Sequence, residues 1–284
     1  MDTEEFVKEA GNVKGIGKVA QQRLEEYFLK KEKIKEERNV DLIVDELETD
    51  TIHCGDNIKV MRERIPNESI DLTVTSPPYD DLRDYEGDWD FNFKDLAQEL
   101  YRVTKEGGVV VWVVGDQTIE GSETGNSFRQ ALYFKKIGFN LHDTMIYEKN
   151  TSAYPASKEG DRYTQIFEYM FVFCKGKVNA NLVCDKENKW AGHTNWGKNT
   201  DRQKDGTLKE KGDIKSVPQY SPRNNIWKYS VGGNVGQSDK IAYKHPATFP
   251  EQLAADHIKS WSDKSDVIFD PMCGSGTTLK MAKK

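Results

Sequence analysis

Residues 109–114 read VVVWVV, six apolar side chains in a row with no polar position left to face water. A strand with one solvated face alternates, so an unbroken run this short predicts a central strand covered on both sides. That stretch commits the chain to helices packed above and below a sheet. Its surroundings agree. Phe93–Thr104 spaces its apolar residues as an amphipathic helix, and Lys105-Glu106-Gly107-Gly108 reads as its stop. Thr51–Cys54, Ile70–Thr75, Phe139–Tyr147, Ile166–Cys174 and Val267–Phe269 read as strands. Ile58–Ile65, Phe128–Ile137 (capped by Gly138) and Phe249–Trp261 (opened by Pro250) read as helices. Such alternation predicts an α/β fold, a mostly parallel sheet with helices on both faces.

At 284 residues the chain suffices for one large α/β domain or two small ones. It has no apolar run near the ~18 residues of a membrane span, and its acidic N-terminus lacks the apolar core of a secretory signal. Cys54, Cys174, Cys184 and Cys273 form no C-x-x-C pair, which suits reduced thiols in a cytoplasmic protein. No metal-ligand spacing and no hydrolase triad is present, so no metal is expected.

Charge is unevenly placed. The net of −6 argues against coating nucleic acid by bulk electrostatics. Residues 1–50 carry 9 Lys/Arg against 14 Asp/Glu, whereas residues 186–228 carry 10 against 5. A basic segment in an acidic chain suits a local polyanion contact, although a solvated loop has the same composition. Residues 176–240 are polar yet dotted with Trp190, Trp196, Tyr220, Trp227 and Tyr229, which favours an ordered insertion over a linker. Residues 5–38 read as helical. Within them Val13–Tyr27 weakly resembles a helix-hairpin-helix that offers backbone amides to phosphate, and an ordinary helix-turn-helix packing element fits better.

Two short motifs carry chemistry. Ile70–Thr75 runs into Ser76-Pro77-Pro78-Tyr79-Asp80-Asp81, where two prolines end any ladder because neither donates a backbone hydrogen bond. Val267–Phe269 runs into Asp270-Pro271-Met272-Cys273-Gly274-Ser275-Gly276-Thr277-Thr278, a strand, a glycine turn and a helix start. Glycines there let backbone approach a ligand closely, and the first helical turn offers free N–H groups. The turn lacks the full G-x-G-x-x-G and any phosphate-loop lysine, which disfavours a phosphate cradle. Asp270 at the strand tip suits an ammonium or sulfonium group.

Together, TSPPY and DPMCGSGTT resemble the amino-group DNA methyltransferases of the β type, in which the tyrosine motif precedes the glycine motif. Lys244–Leu253 (KHPATFPEQL) is similar to the family's H-P-A-x-F-P-x-x-L segment and lies just before the glycine motif, and Gly55-Asp56 also matches. The resemblance spans roughly 51–278. It implies a Rossmann-like, S-adenosylmethionine-dependent fold and transfer of a methyl group to an exocyclic base nitrogen of duplex DNA, leaving S-adenosylhomocysteine. A cognate restriction endonuclease is a partner the family allows.

The resemblance assigns roles. Ser76 and the Pro77 carbonyl accept from the amine hydrogens, Pro77 and Pro78 stiffen the corner, and Tyr79 stacks on a base swung out of the duplex. Asp270, Pro271, Cys273, Gly274, Gly276 and Thr277 contact the cofactor; His245, Ala247, Thr248 and Phe249 line its methionine end. Asp56 is either an adenine-edge contact or the N-cap of the helix from Asn57. Serine before the prolines favours N4 of cytosine over N6 of adenine. Without a Pro-Cys dipeptide, covalent attack at cytosine carbon 5 is disfavoured. Methyltransferases acting on RNA or protein amides share the P-P-Y logic.

The implied organisation is an N-terminal helical extension (1–50), a catalytic half (51–149), an inserted target-recognition region (150–240) and a cofactor-binding half (241–284). The family continues past the glycine motif with a strand whose acidic residue binds the ribose hydroxyls, and residues 279–284 leave that strand unsupplied. The competing reading is therefore a catalytically incomplete DNA-binding protein on the same scaffold.

Overall fold

A computed structural model describes residues 46–78, 91–152, 160–194, 200–210, 216–231, 236–239, 242, 245 and 248–284. Tyr79, Ala247 and the helix-hairpin-helix reading at Val13–Tyr27 lie outside the described residues. The centre is a six-stranded sheet. Its strands are β1 (Ile70–Thr75), β2 (Thr104–Val114), β3 (Asn140–Lys149), β4 (Phe167–Cys174), β5 (Ile226–Tyr229) and β6 (Ile268–Phe269), in the order β5-β3-β4-β2-β1-β6. β1 pairs parallel with β2 and β6, and β5 parallel with β3; β4 runs antiparallel to both of its neighbours. Five strands thus point one way. Glu46–Lys284 forms one unit, and β4 and β5, both from within the 150–240 stretch, belong to its central sheet.

The VVVWVV run behaves as its composition demands. Val109, Val111 and Val113 pack on one face, in a cluster with Leu253 and Trp261 of helix α4 (Glu251–Trp261). Val110, Trp112 and Val114 pack on the other face with Leu96 and Leu100 of α2 (Phe93–Val103) and Phe134 of α3 (Asn126–Ile137). All six are at most 1% exposed. The Trp112 indole N–H, stranded in apolar surroundings, donates to Gln130 Oε1 at 2.8 Å.

Two expectations need correction. Thr51–Cys54 forms no strand; the chain there is irregular until Asp56 caps α1 (Asn57–Arg64). Helix α2 does stop, at Thr104, but Lys105–Gly108 is part of β2. The register with β1 slips there, with Ile70 opposite Thr104 and Leu72 opposite Val109. Gly107 takes φ +83° and donates to Lys175 O at 2.7 Å, so the glycines that read as punctuation form an irregular strand start. Lys105 fastens this start to β1 through Asp71 at 2.7 Å.

Candidate active site

Because β1 lies between β2 and β6 and runs parallel to both, the three strands deliver their carboxyl ends to one edge of the sheet. That edge is where open α/β sheets bind ligands. β1 ends in the Ser76-Pro77-Pro78 corner, with Pro77 buried and Ser76 and Pro78 half-buried. β6 ends in Asp270 and the glycine turn, which leads into α5 (Thr277–Ala282).

Two side-chain bonds tie these ends together. The Thr75 hydroxyl, fully buried, donates to Asp270 Oδ1 at 2.7 Å. The Thr278 hydroxyl, also fully buried, donates to the Val74 carbonyl at 3.0 Å. The same Asp270 oxygen accepts from Met272 N at 3.0 Å, so one carboxylate braces both the glycine turn and the strand before the proline corner. Burial pushes the Asp270 carboxyl up from its usual range, and the hydrogen bonds from Thr75 and Met272 pull it back only in part.

The third motif closes on the second. Gly274 has φ +48°, and a β-carbon there would lie 2.8 Å from His245 Nε2. Gly276 has φ +78° but open space around its own β-carbon position. A turn with one glycine pressed on an imidazole and another facing a void fits a ligand lying along the backbone. Phe249, half-buried, packs against the valine-rich cluster on the α4 face, while Thr248 is exposed. Cys273 is half-buried, and burial, then the Asp270 charge, push its thiol up. A protonated thiol is a poor nucleophile.

Asp56 is engaged elsewhere. It is exposed, and its carboxylate accepts from Lys59 N at 2.8 Å as the N-cap of α1. Among the described residues no group of three His, Cys, Asp or Glu side chains could hold a metal. A cleft of about 400 Å³ opens between the β5 edge and α4, lined by Lys186, Arg223, Trp227, Gln252 and Asp256 among others. It contains none of the residues assigned to the cofactor or the target base, and its Arg223 is already paired with Asp185 and Asp256.

Three residues that join the motifs escaped assignment from sequence. Thr75 and Thr278 sit inside the quoted motifs, and only their burial beside Asp270 and Val74 reveals them as the bridge. Gln237 lies in a polar stretch without periodicity. Its amide nitrogen donates to Phe249 O at 2.5 Å and to Thr277 Oγ1 at 3.2 Å.

The DNA methylase family, of the N6/N4 type, matches residues 70–284. This chain belongs to it. The orphan methyltransferase M.BamHII of Bacillus amyloliquefaciens is 57% identical to this DNA methylase over 223 residues, 78% of this chain and 83% of that protein. The type II methyltransferase M.BglII of Bacillus subtilis is 23% identical over 248 residues, covering 82% of this chain and 62% of that protein. Among solved structures, the PvuII DNA methyltransferase (cytosine-N4-specific) superposes with a TM-score of 0.57 at 20% identity, covering 81% of this chain and 77% of that one. The fold is accordingly the Rossmann-like fold of S-adenosylmethionine-dependent methyltransferases, and S-adenosylmethionine is the cofactor. Among the described residues of this methylase no helix is long and apolar enough to cross a membrane.

Proposed function

We propose that this chain transfers a methyl group to the exocyclic N4 of cytosine in duplex DNA, at the edge where the proline corner and the glycine turn meet. The observation that carries the reading is the Thr75–Asp270 hydrogen bond of 2.7 Å, which makes the two motifs one site. Bound S-adenosylmethionine supplies an electrophilic methyl on a sulfonium centre. The exocyclic amine is a weak nucleophile because its lone pair is delocalised into the base. Positioning and stabilisation of developing charge therefore dominate what the protein must contribute.

Ser76 Oγ and the Pro77 carbonyl accept the two amine hydrogens and hold the nitrogen lone pair toward the methyl. The prolines keep that cup rigid and bring no competing N–H donors. Tyr79, by resemblance, stacks on the extruded base. Asp270, Pro271, Cys273, Gly274, Gly276 and Thr277 form one wall for the cofactor, and His245, Ala247, Thr248 and Phe249 the other. Asp56 is assigned the helix cap and no cofactor role. The protonated Cys273 thiol and the absence of a Pro-Cys dipeptide support direct transfer over a covalent base adduct.

Serine before the prolines favours cytosine; an Asp or Asn there would favour adenine. Target choice is assigned to the basic stretch within 150–240, with duplex DNA as partner. Nucleoside mass analysis of duplex DNA after incubation with the chain and S-adenosylmethionine tests the assignment. N4-methylcytosine is expected. N6-methyladenine would overturn the base, and unmodified DNA would favour a DNA-binding protein on a methyltransferase scaffold.

A further inference from the structure

Residues 236–239 cross the amino end of α4 and the start of α5, held from outside by a charged knot. Gly236 O accepts from Glu251 N at 3.0 Å, and Ser238 donates to Glu251 Oε1 through both its backbone N and its hydroxyl at 2.8 Å. Lys280 Nζ reaches Asp239 at 2.6 Å and both Glu251 and Ser238 at 2.7 Å. The knot fixes the strap's backbone, and Gln237 turns the other way. It is 8% exposed and meets Phe249 of the histidine-proline motif and Thr277 of the glycine motif.

The partners fix which way the amide faces. A backbone carbonyl only accepts, so the group 2.5 Å from Phe249 O is the amide nitrogen. Its two hydrogens match two acceptors, the Phe249 carbonyl and the Thr277 hydroxyl oxygen. With that oxygen accepting from Gln237, the Thr277 proton is turned away from the strap, and Ser275 Oγ stands 3.2 Å off inside the glycine turn. Gln237 thereby sets both the spacing of two walls and the direction of a hydroxyl on one of them.

We propose that Gln237 is a positioning residue for the methyl donor, clamping the Phe249 wall to the Thr277 wall of the cofactor site. The proposal rests on the reading of those walls as the S-adenosylmethionine site. Gln237→Met keeps the side chain's length without the donor, and Gln237→Glu keeps its shape and puts a carboxylate oxygen against the Phe249 carbonyl.

The test is calorimetric titration of S-adenosylmethionine into the wild-type chain and both variants, beside thermal unfolding of each without ligand and steady-state methylation. Both variants should bind the cofactor at least about tenfold more weakly, as expected for loss of a buried hydrogen bond. The KM for S-adenosylmethionine should rise in parallel, with the KM for DNA unchanged and kcat at saturating cofactor within about threefold, the pattern of lost uniform binding. Variant affinities equal to wild type would overturn the proposal. So would a general loss, in which the unfolding temperature, kcat and the KM for DNA all deteriorate together. Should Gln237→Met not fold, the Gln237→Glu arm decides alone by the same readouts. A wild-type chain that binds no S-adenosylmethionine would instead overturn the cofactor reading, and the proposal with it.

Discussion

Gly274 shows how narrowly the site tolerates change at a single residue. Its φ of +48° is left-handed, and the His245 ring occupies the space a side chain would take, 2.8 Å from the β-carbon position. Gly274→Ala therefore meets two penalties, about 1–2 kcal/mol of backbone strain and displacement of the imidazole. The expected outcome is a fall of that size in unfolding free energy, with S-adenosylmethionine affinity reduced by at least about tenfold. Thermal unfolding and calorimetric titration measure the two. Affinity at the wild-type level would show that the His245–Gly274 contact does not shape the cofactor site. The glycines and the Ser-Pro-Pro corner were legible because their chemistry is local. Thr75, Thr278 and Gln237 were not, since each takes its meaning from a partner 40 to 204 residues away.

At the scale of elements, α4 buries groups that make stability depend on pH. His257 is fully buried, and its Nδ1 accepts from Trp261 Nε1 at 3.1 Å, so the ring proton sits on Nε2, 3.2 Å from Met170 Sδ. Burial lowers its pKa to about 3, outweighing the attraction of Asp256. Burial alone would raise the Glu251 carboxyl, but Lys280 and Ser238 outweigh it and lower the pKa to about 2.

Both folded pKa values lie below the unfolded ones, so both contributions are complete above the unfolded pKa and are lost as pH falls. The His257 contribution fades between about 6.5 and 3, and that of Glu251 between about 4.5 and 2. Unfolding temperature should decline through the upper window in wild type, and more shallowly in His257→Gln. Equal slopes for the two proteins would contradict the buried neutral imidazole. VVVWVV was readable because an unbroken apolar run has one structural use. Lys105–Gly108 was misread because glycines that stop a helix also serve a bulged strand. Ile226–Tyr229 was hidden for a different reason: a four-residue edge strand with alternate burial leaves little signal inside a polar stretch.

Across the whole molecule, a net charge of −6 coexists with the basic stretch 186–228, so contact with a polyanion must be local. Arg202, Lys204 and Lys209 lie on or between the strands of a small exposed ribbon, 200–202 paired with 208–210. Reversing these three charges to Glu should weaken duplex binding. It should also flatten the dependence of log affinity on log salt by about 0.9 for each phosphate no longer neutralised, leaving cofactor affinity unchanged. Fluorescence anisotropy across a salt series reads this directly, and an unchanged slope would move the DNA contact elsewhere. The proline corner and the glycine turn, far apart in sequence, converge because parallel β1 and β6 are neighbours, a pairing that strand–helix alternation predicts in kind but not in order.

Under the proposed function, the proline corner and the glycine turn act as one site through Thr75. Single-turnover methyl transfer to duplex DNA, with the chain in excess and saturated with S-adenosylmethionine, tests it in wild type, Thr75→Ser and Thr75→Val. Serine keeps the hydroxyl that meets Asp270, whereas valine leaves that carboxylate short of a buried donor worth about 1.5–3 kcal/mol. Transfer by Thr75→Ser should run near the wild-type rate, and transfer by Thr75→Val at least about tenfold slower. A Thr75→Val enzyme that transfers methyl groups at the wild-type rate would contradict the account.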